Sequence, residues 1–381
     1  MSVDRMLPTD EAYALLELAR EIGDRELAPR AADFEERGEF PREVLRTLGR
    51  AGLLGLPYDE EYGGAGQPYV VYLQVLEELA SRWLAVAEAV SVHTLSCYPV
   101  AAYGTDTQRK RLLPDMLGGE QLGAYCLSEP QGGSDAASMT TRAVADGETY
   151  VLDGTKAWIT HAGRADYYTV FCRTGGPGAR GISCLLADAA TPGILPQRPE
   201  RTMGMRASPV AQIVFQGARV PADRLVGDRD GGFPIAMRAL DAGRLGIAAC
   251  AVGLAQAALD HATGYARERA QFGVPIIEHQ GIGFLLADMA TQVSAARALT
   301  LEAARRRDAG RPFSTEAAKA KLFATDAAMR VTIDAVQVLG GYGYVTDHPV
   351  ERYMREAKVL QIVEGTNQIQ RMVIARALAR S

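Results

Sequence analysis

Apolar residues recur at Leu15, Leu18, Ile22 and Leu27, close to the helical period, after Thr9, a residue type that caps helix N-termini. The spacing predicts an amphipathic helix there, and Pro41, whose fixed φ suits a first turn, opens a second. A Gly- and Pro-rich stretch from Gly52 to Pro68 interrupts, and helical patterning resumes from Tyr69 to Tyr103. After Gly118-Gly119 the character changes. Ala124 to Leu127, Tyr150 to Leu152, Tyr167 to Cys172, Ile182 to Leu186 and Gln212 to Phe215 are short apolar or β-branched runs between turn residues, which predict strands. No helix-length segments separate them, so an antiparallel barrel or sandwich is expected, not a parallel doubly wound sheet. Beyond Gly231-Gly232 the period is helical again, with Leu286, Met289, Val293 and Ala296 at spacings of three and four, continuing from Thr315 to Leu339. The pattern divides the chain into a helical domain (1–122), a middle β domain (123–230) and a second helical domain (231–381).

A chain of 381 residues with 48% hydrophobic content can bury a substantial core shared by two or three domains. A net charge of −5 and a pI near 5.7 argue against nucleic acid or a membrane surface as main partner, both of which call for concentrated positive charge. The run Arg305-Arg306-Arg307 is the exception, and its place near a helix end, where cations meet the negative pole of the helix dipole, explains it as a solvated terminus. Cys97, Cys126, Cys172, Cys184 and Cys250 are odd in number and widely spaced, which suggests neither a disulfide framework nor a metal site. The segment Met1 to Pro8 lacks the apolar core of a signal peptide, and no unbroken apolar run of membrane-spanning length occurs, so a cytoplasmic protein is expected.

The chemistry concentrates near the C-terminus, where Val363-Glu364-Gly365-Thr366-Asn367-Gln368 breaks an apolar helical segment and places a carboxylate directly before a glycine. A free Glu titrates near about 4.3, so Glu364 serves as a base near neutrality only if burial raises its pKa. Four other stretches accompany it: Ser128-Glu129-Pro130-Gln131-Gly132-Gly133-Ser134-Asp135, Lys156-Ala157-Trp158-Ile159-Thr160, Arg269-Ala270-Gln271-Phe272-Gly273 and Gln337-Val338-Leu339-Gly340-Gly341. Together, in this order, they resemble the acyl-CoA dehydrogenase family from about Glu11 to Arg376. Leu240-Asp241-Ala242-Gly243-Arg244-Leu245 is most similar to the short-chain, butyryl-type branch.

That resemblance implies an α+β fold with helical domains flanking an antiparallel β-barrel, the second helical domain being a four-helix bundle. It further implies FAD as cofactor and α,β-dehydrogenation of an acyl-CoA thioester, as in fatty-acid β-oxidation, with electrons passed to an electron-transfer flavoprotein. Glu364 matches the catalytic base. Some branches place the base on the helix containing Asp241 to Arg244, but the matching position here is Gly243, which cannot accept a proton. Tyr125, Leu127, Ser128, Gly133 and Ser134 match the segment along flavin and thioester, Ser134 also touching the CoA portion. Trp158, Ile159 and Thr160 match the flavin-facing strand, with Trp158 stacking and the Thr160 hydroxyl reaching flavin N5. Arg269, Phe272 and Gln280 match contacts to the pyrophosphate side, and Gln337, Val338, Leu339, Gly340 and Gly341 match a segment that covers FAD from a neighbouring subunit. A homodimer or homotetramer is therefore implied. Thr366, Asn367 and Gln368 match further cofactor contacts, and Asp241, Ala242, Gly243, Arg244 and Gly365 line the substrate.

Other features point elsewhere and are discounted. Gly176 to Gly181 satisfies GxGxxG, but a strand-like run follows, which makes it a hairpin loop. The five histidines show no metal-ligand spacing, so no metal is expected. Glu88, in an otherwise apolar helix that should help line the acyl pocket, is expected to face solvent, the alternative being contact with a polar or cationic acyl group. Rival functions are an acyl-CoA oxidase, a dehydrogenase acting on carrier-protein thioesters and a non-catalytic flavin or acyl-CoA binder. Only Arg371, Arg376 and Arg380 stand on the last helix, against a nucleic-acid role.

Overall fold

The computed structural model describes Val3 and residues 5–380; Met1, Ser2 and Asp4, part of the stretch read for a signal peptide, and Ser381 lie outside the described residues. Helix α1 (Asp10–Ile22) starts where expected, the Thr9 side-chain oxygen accepting from the Ala12 N–H, one of the donors a helix start leaves without a partner. One π-helical turn (Gly23–Leu27) carries it into α2 (Ala28–Arg37), which stops at left-handed Gly38. Then come α3 (Arg42–Arg50), opened by Pro41, α4 (Tyr69–Arg82), α5 (Leu84–Tyr103) and α6 (Asp106–Leu117). A capping box between Thr105 and Gln108 fixes the start of α6. Fully buried Trp83 marks the break between α4 and α5 and donates its indole N–H to Glu35 on α2.

The middle region contains β1 (Gly123–Cys126), β2 (Arg142–Asp146), β3 (Thr149–Thr160), β4 (Tyr167–Arg173), β5 (Ile182–Asp188), β6 (Ile194–Pro196), β7 (Val210–Pro221) and β8 (Leu225–Val226). They form one eight-stranded sheet in the order β6-β7-β3-β2-β4-β5-β8, with β1 beside β4. The path is open, β6 and β8 standing at its ends, and β1–β4 and β2–β4 pair in parallel. The expected closed antiparallel barrel is thus corrected to an open mixed sheet: the stretch from residue 127 to residue 166 is long enough to return β4 parallel to β1. Strand β2 escaped the sequence because its side chains are mostly exposed and charged or small. The Gly176 to Gly181 stretch is the β4–β5 loop, as expected.

The last region is helical: α7 (Gly232–Glu268), a short hairpin of β9 (Ala270–Gln271) and β10 (Val274–Pro275), then α8 (Gln280–Asp308), α9 (Ser314–Leu339), α10 (Val350–Leu360) and α11 (Asn367–Leu378). Helix α7 packs against α4, α5, α8 and α9, and one apolar core runs through both helical regions while the sheet keeps its own. Two helices, α5 and α7, are long and apolar enough to cross a membrane, yet 89% and 94% of their apolar windows are buried inside the protein. Alanine and glycine along α7 explain the close packing, since small side chains let helix backbones approach. The site lies where these cores meet the sheet.

Candidate active site at the seam of helices and sheet

After α10 the chain turns through Val363, Glu364 and Gly365 before Thr366 caps α11, its side-chain oxygen accepting from the Ile369 N–H. Glu364 has φ 51° and Gly365 φ 90°. Glycine enters this left-handed region freely, whereas for Glu it is strained and must be held by its surroundings. Lys321 on α9 does much of the holding. Its wholly buried ammonium donates to Gly365 O at 3.0 Å and Asn367 Oδ1 at 2.9 Å. Gln370 Nε2 donates to Gly365 O at 2.8 Å, and Asn367 Nδ2 donates to Asp326 Oδ1 at 2.7 Å.

The turn drives the Glu364 side chain inward. Both carboxyl oxygens are buried and have no hydrogen-bond partner among the described residues, a costly state for a charge. Burial, and next the Glu88 carboxyl, push its pKa up to about 8 against the opposing charges of Lys321 and Arg244. Across from it stands Gly243 on α7, where a Cβ would overlap the Glu364 carboxylate. Gly243 is thus both unable to act as a base and required to be small, so that the base from α10–α11 can occupy the space. Beside it, Asp241 accepts from Arg244 at 2.7 Å and Ser314 at 2.8 Å, while Ala242 O accepts from the Tyr69 hydroxyl at 2.9 Å.

Glu88 does not face solvent as expected. It is 5% exposed on α5, and its carboxylate accepts from Ser208 Oγ at 2.8 Å and Thr160 Oγ1 at 3.3 Å, while burial lifts its pKa to about 7. The helix is buried all round, so no polar face existed for Glu88 to occupy. Nothing near Glu88 in sequence marked Ser208 as its partner. Lys321 was missed too, although a lysine among Ala317, Ala318, Ala320 and Ala324, with apolar neighbours at helical spacing, was a signal available in the chain.

Trp158 sits in β3 at a register shift, with φ 60°, and its ring is 65% exposed while Ala157 and Ile159 on either side are buried. The left-handed residue flips the indole out of the core, which disposes of a core-aromatic role. Thr160 is partly exposed beside it, and the Gly133 Cα opens onto free space on the loop that carries exposed Ser134. A bare indole, a nearby hydroxyl and open backbone suit a flat heteroaromatic ring with polar edges. Behind this surface Lys156, fully buried, donates to Glu129 Oε1 at 3.0 Å and to Leu127 O at 2.8 Å. Tyr125 donates to Ala236 O and so ties β1 to α7, with buried Leu127 and half-buried Ser128 following.

The structure does not join every expected residue to this cluster. Arg269 caps α7 and lies over the Tyr342 ring at 5.7 Å, Phe272 is 96% exposed in left-handed backbone, and Gln280 is exposed at the start of α8. Gln337, Gly340, Gly341 and Gln368 are exposed, and Val338 and Leu339 belong to the core. His93 and His161 are buried and bonded to the Gly123 N–H and C=O, and burial brings both down to about 4. Among the described residues no cluster of His, Cys, Asp and Glu could hold a metal ion, and all five cysteines are free and buried.

Family models for the acyl-CoA dehydrogenase N-terminal, middle and C-terminal domains match residues 9–120, 124–218 and 230–379. The chain is 43% identical over 372 residues to an acyl-CoA dehydrogenase of Bacillus subtilis (strain 168), covering 97% of this chain and 98% of that one. It superposes on the butyryl-CoA dehydrogenase of Megasphaera elsdenii with TM-score 0.96 at 41% identity, covering 99% and 100% of the two chains. A chain solved in work on the electron transferring flavoprotein of Acidaminococcus fermentans gives TM-score 0.97 at 40% identity over 100% of both. With an inward carboxylate at Glu364 and a flat-ring surface at Trp158 in the same fold, the chain belongs to the acyl-CoA dehydrogenase family, FAD-dependent oxidoreductases acting on CH–CH donors.

Proposed function

We propose that this protein oxidises a short acyl-CoA thioester to its trans-2-enoyl product, with Glu364 taking the α-proton. The observation that carries this reading is the pair of buried, unpartnered Glu364 oxygens, since a base needs an open lone pair and a pKa near working pH. FAD, when bound, supplies the acceptor for the β-hydride. Trp158, Ile159, Thr160, Tyr125, Leu127, Ser128, Gly133 and Ser134 would hold its ring side. Arg269, Phe272, Gln280, Thr366, Asn367 and Gln368 would hold the rest, completed by Gln337 to Gly341 of a second copy. Exposed Phe272 and Tyr344 support a partner chain covering this face, in a homodimer or a homotetramer.

Within the site, Asp241, Ala242, Gly243, Arg244 and Gly365 border the thioester, and the Glu364 backbone N–H can donate to the carbonyl oxygen as enolate charge develops. The Lys321 bonds fix the turn and keep the carboxylate aimed at the substrate. The butyryl-CoA dehydrogenase likeness supports a short acyl chain, and the chain from the flavoprotein work supports an electron-transfer flavoprotein as acceptor. The reaction is placed in the cytoplasm, and the three domains are taken as 1–122, 123–230 and 231–381. The test is anaerobic mixing of purified holoenzyme with butyryl-CoA. Bleaching of the oxidised flavin band is expected, and its absence with every acyl-CoA tried would refute dehydrogenation.

A further inference from the structure

Between α10 and α11 the chain from Gln361 to Asn367 forms a loop whose two ends meet, the Asn367 N–H donating to Gln361 O at 3.0 Å. Glu364 stands at its crown in left-handed backbone. Because its carboxyl oxygens have no hydrogen-bond partner among the described residues, the aim of the side chain is set by the backbone that carries it. That backbone is held from α9 at two points. Lys321 holds the crown through Gly365 O. A second residue of the same helix holds the mouth: Asp326 Oδ1 accepts from Gln361 Nε2 at 2.6 Å and from Asn367 Nδ2 at 2.7 Å, so one oxygen joins the end of α10 to the start of α11. The other oxygen of Asp326 accepts from Arg371, one turn further along α11, at 3.1 Å. Lys321 and Thr325, whose Oγ1 accepts from Asn367 Nδ2 at 2.9 Å, lie one turn apart, and Asp326 follows directly. Crown and mouth are thus fixed to one rigid stretch of helix.

We propose that Asp326 is a positioning residue for the proposed reaction, closing the mouth of the 361–367 loop so that the Glu364 carboxyl stays buried and aimed at the α-proton. The proposal rests on the reading of Glu364 as the base. Asp326 takes no part in the proton transfer and acts through Gln361 and Asn367. Without it the two helix ends lose their common acceptor, the strained crown relaxes, and the carboxyl swings towards water. The charged groups that face Glu364 are Glu88 on α5, Arg244 on α7 and Lys321 on α9, and its other titratable neighbours are Tyr69 on α4, Tyr125 on β1 and Cys250 on α7. Burial outweighs all of these in raising the Glu364 pKa, so a carboxyl that reaches water returns towards the ordinary range.

The test compares Asp326→Leu with Asp326→Asn in the holoenzyme. Both remove the same charge, but asparagine keeps an oxygen for Gln361 and Asn367 and gives up only the contact to half-exposed Arg371, whereas leucine accepts nothing. Two quantities are read: anaerobic flavin reduction by butyryl-CoA, and the pH titration of the Glu364 carboxyl C=O stretch in the infrared, taken as the difference from the same protein carrying Glu364→Gln. With leucine, reduction at saturating substrate should slow roughly tenfold to a hundredfold while substrate affinity and flavin content stay within about twofold of native. The infrared midpoint should fall from about 8 towards the ordinary carboxylate range. Asparagine should match the native protein in both. Native behaviour of the leucine variant would overturn the proposal, and so would equal losses in both variants, which would assign the effect to the charge. Should leucine prevent folding, Gln361→Met, which removes one of the two donors at the mouth, decides in its place: slower reduction with a lower midpoint supports the clamp, and native values of both refute it. A native holoenzyme that no acyl-CoA bleaches would refute Glu364 as base, while the infrared titration would still decide whether Asp326 holds the carboxyl in place.

Discussion

Glu129 and Glu364 are both carboxylates inside the protein, and they meet opposite surroundings. Glu129, at the loop after β1, accepts from Lys156 Nζ at 3.0 Å, the Thr141 N–H at 2.9 Å and the Thr140 N–H at 2.7 Å. Burial alone would raise its pKa, but the Lys156 charge and these bonds outweigh it and bring it down to about 2. Glu364 has no such bonds among the described residues and is pushed up to about 8. What separates a structural carboxylate from a chemical one is therefore satisfaction, since both are withdrawn from water. The first secures the loop that carries Gly133 and Ser134. The second is left open for a proton.

The sharpest break in the comparison is Glu364→Gln. Removing the base should slow flavin reduction by butyryl-CoA by roughly a hundredfold to ten-thousandfold, with flavin content kept; reduction at the native rate would exclude Glu364 as base. Glu129→Ala should instead act on folding. Stranding the Lys156 ammonium in the interior should cost about 3–5 kcal/mol, read as a fall in unfolding free energy, and a loss below about 1 kcal/mol would show that the pair contributes little.

Milder is the opposite pH response of the two sites. The folded pKa of Glu364 lies above its unfolded value of 4.5, so stability falls as pH rises from there towards 8, while Glu129 lies below its unfolded value and loses its contribution as pH falls towards 2. Thermal midpoints measured against pH should show Glu364→Gln flattening the alkaline slope and leaving the acid one; an unchanged alkaline slope counts against burial as the cause.

Smallest is Glu88→Gln. Flavin reduction should rise with pH as Glu364 loses its proton, and removing the Glu88 carboxyl, which raises the Glu364 pKa, should move that rise to lower pH. A profile that stays in place would sever the coupling between the two carboxyls.

Much of this molecule was legible in its sequence. Thr9, Pro41 and the periodic apolar residues of α8 placed helices correctly because capping and amphipathicity act over a few neighbouring positions. Strand β2 and the parallel pairing of β1 with β4 were not legible, because an exposed strand carries little apolar pattern and pairing direction depends on chain returning from far away. Within the site, Glu364 stood out by its position before Gly365, whereas Lys321 and the partners of Glu88 did not.

The sequence by itself determined the order of helical, β and helical regions, and the family to which the chain belongs. It also set a glycine at position 243 and a carboxylate at position 364. Only the tertiary structure decided that these two share one space, that Glu88 is inside with Ser208 and Thr160, and that no donor among the described residues reaches the Glu364 oxygens. The reason is physical: local propensity is encoded residue by residue, but a pKa is set by the loss of water and by charges brought together from α5, α7, α9 and the turn before α11.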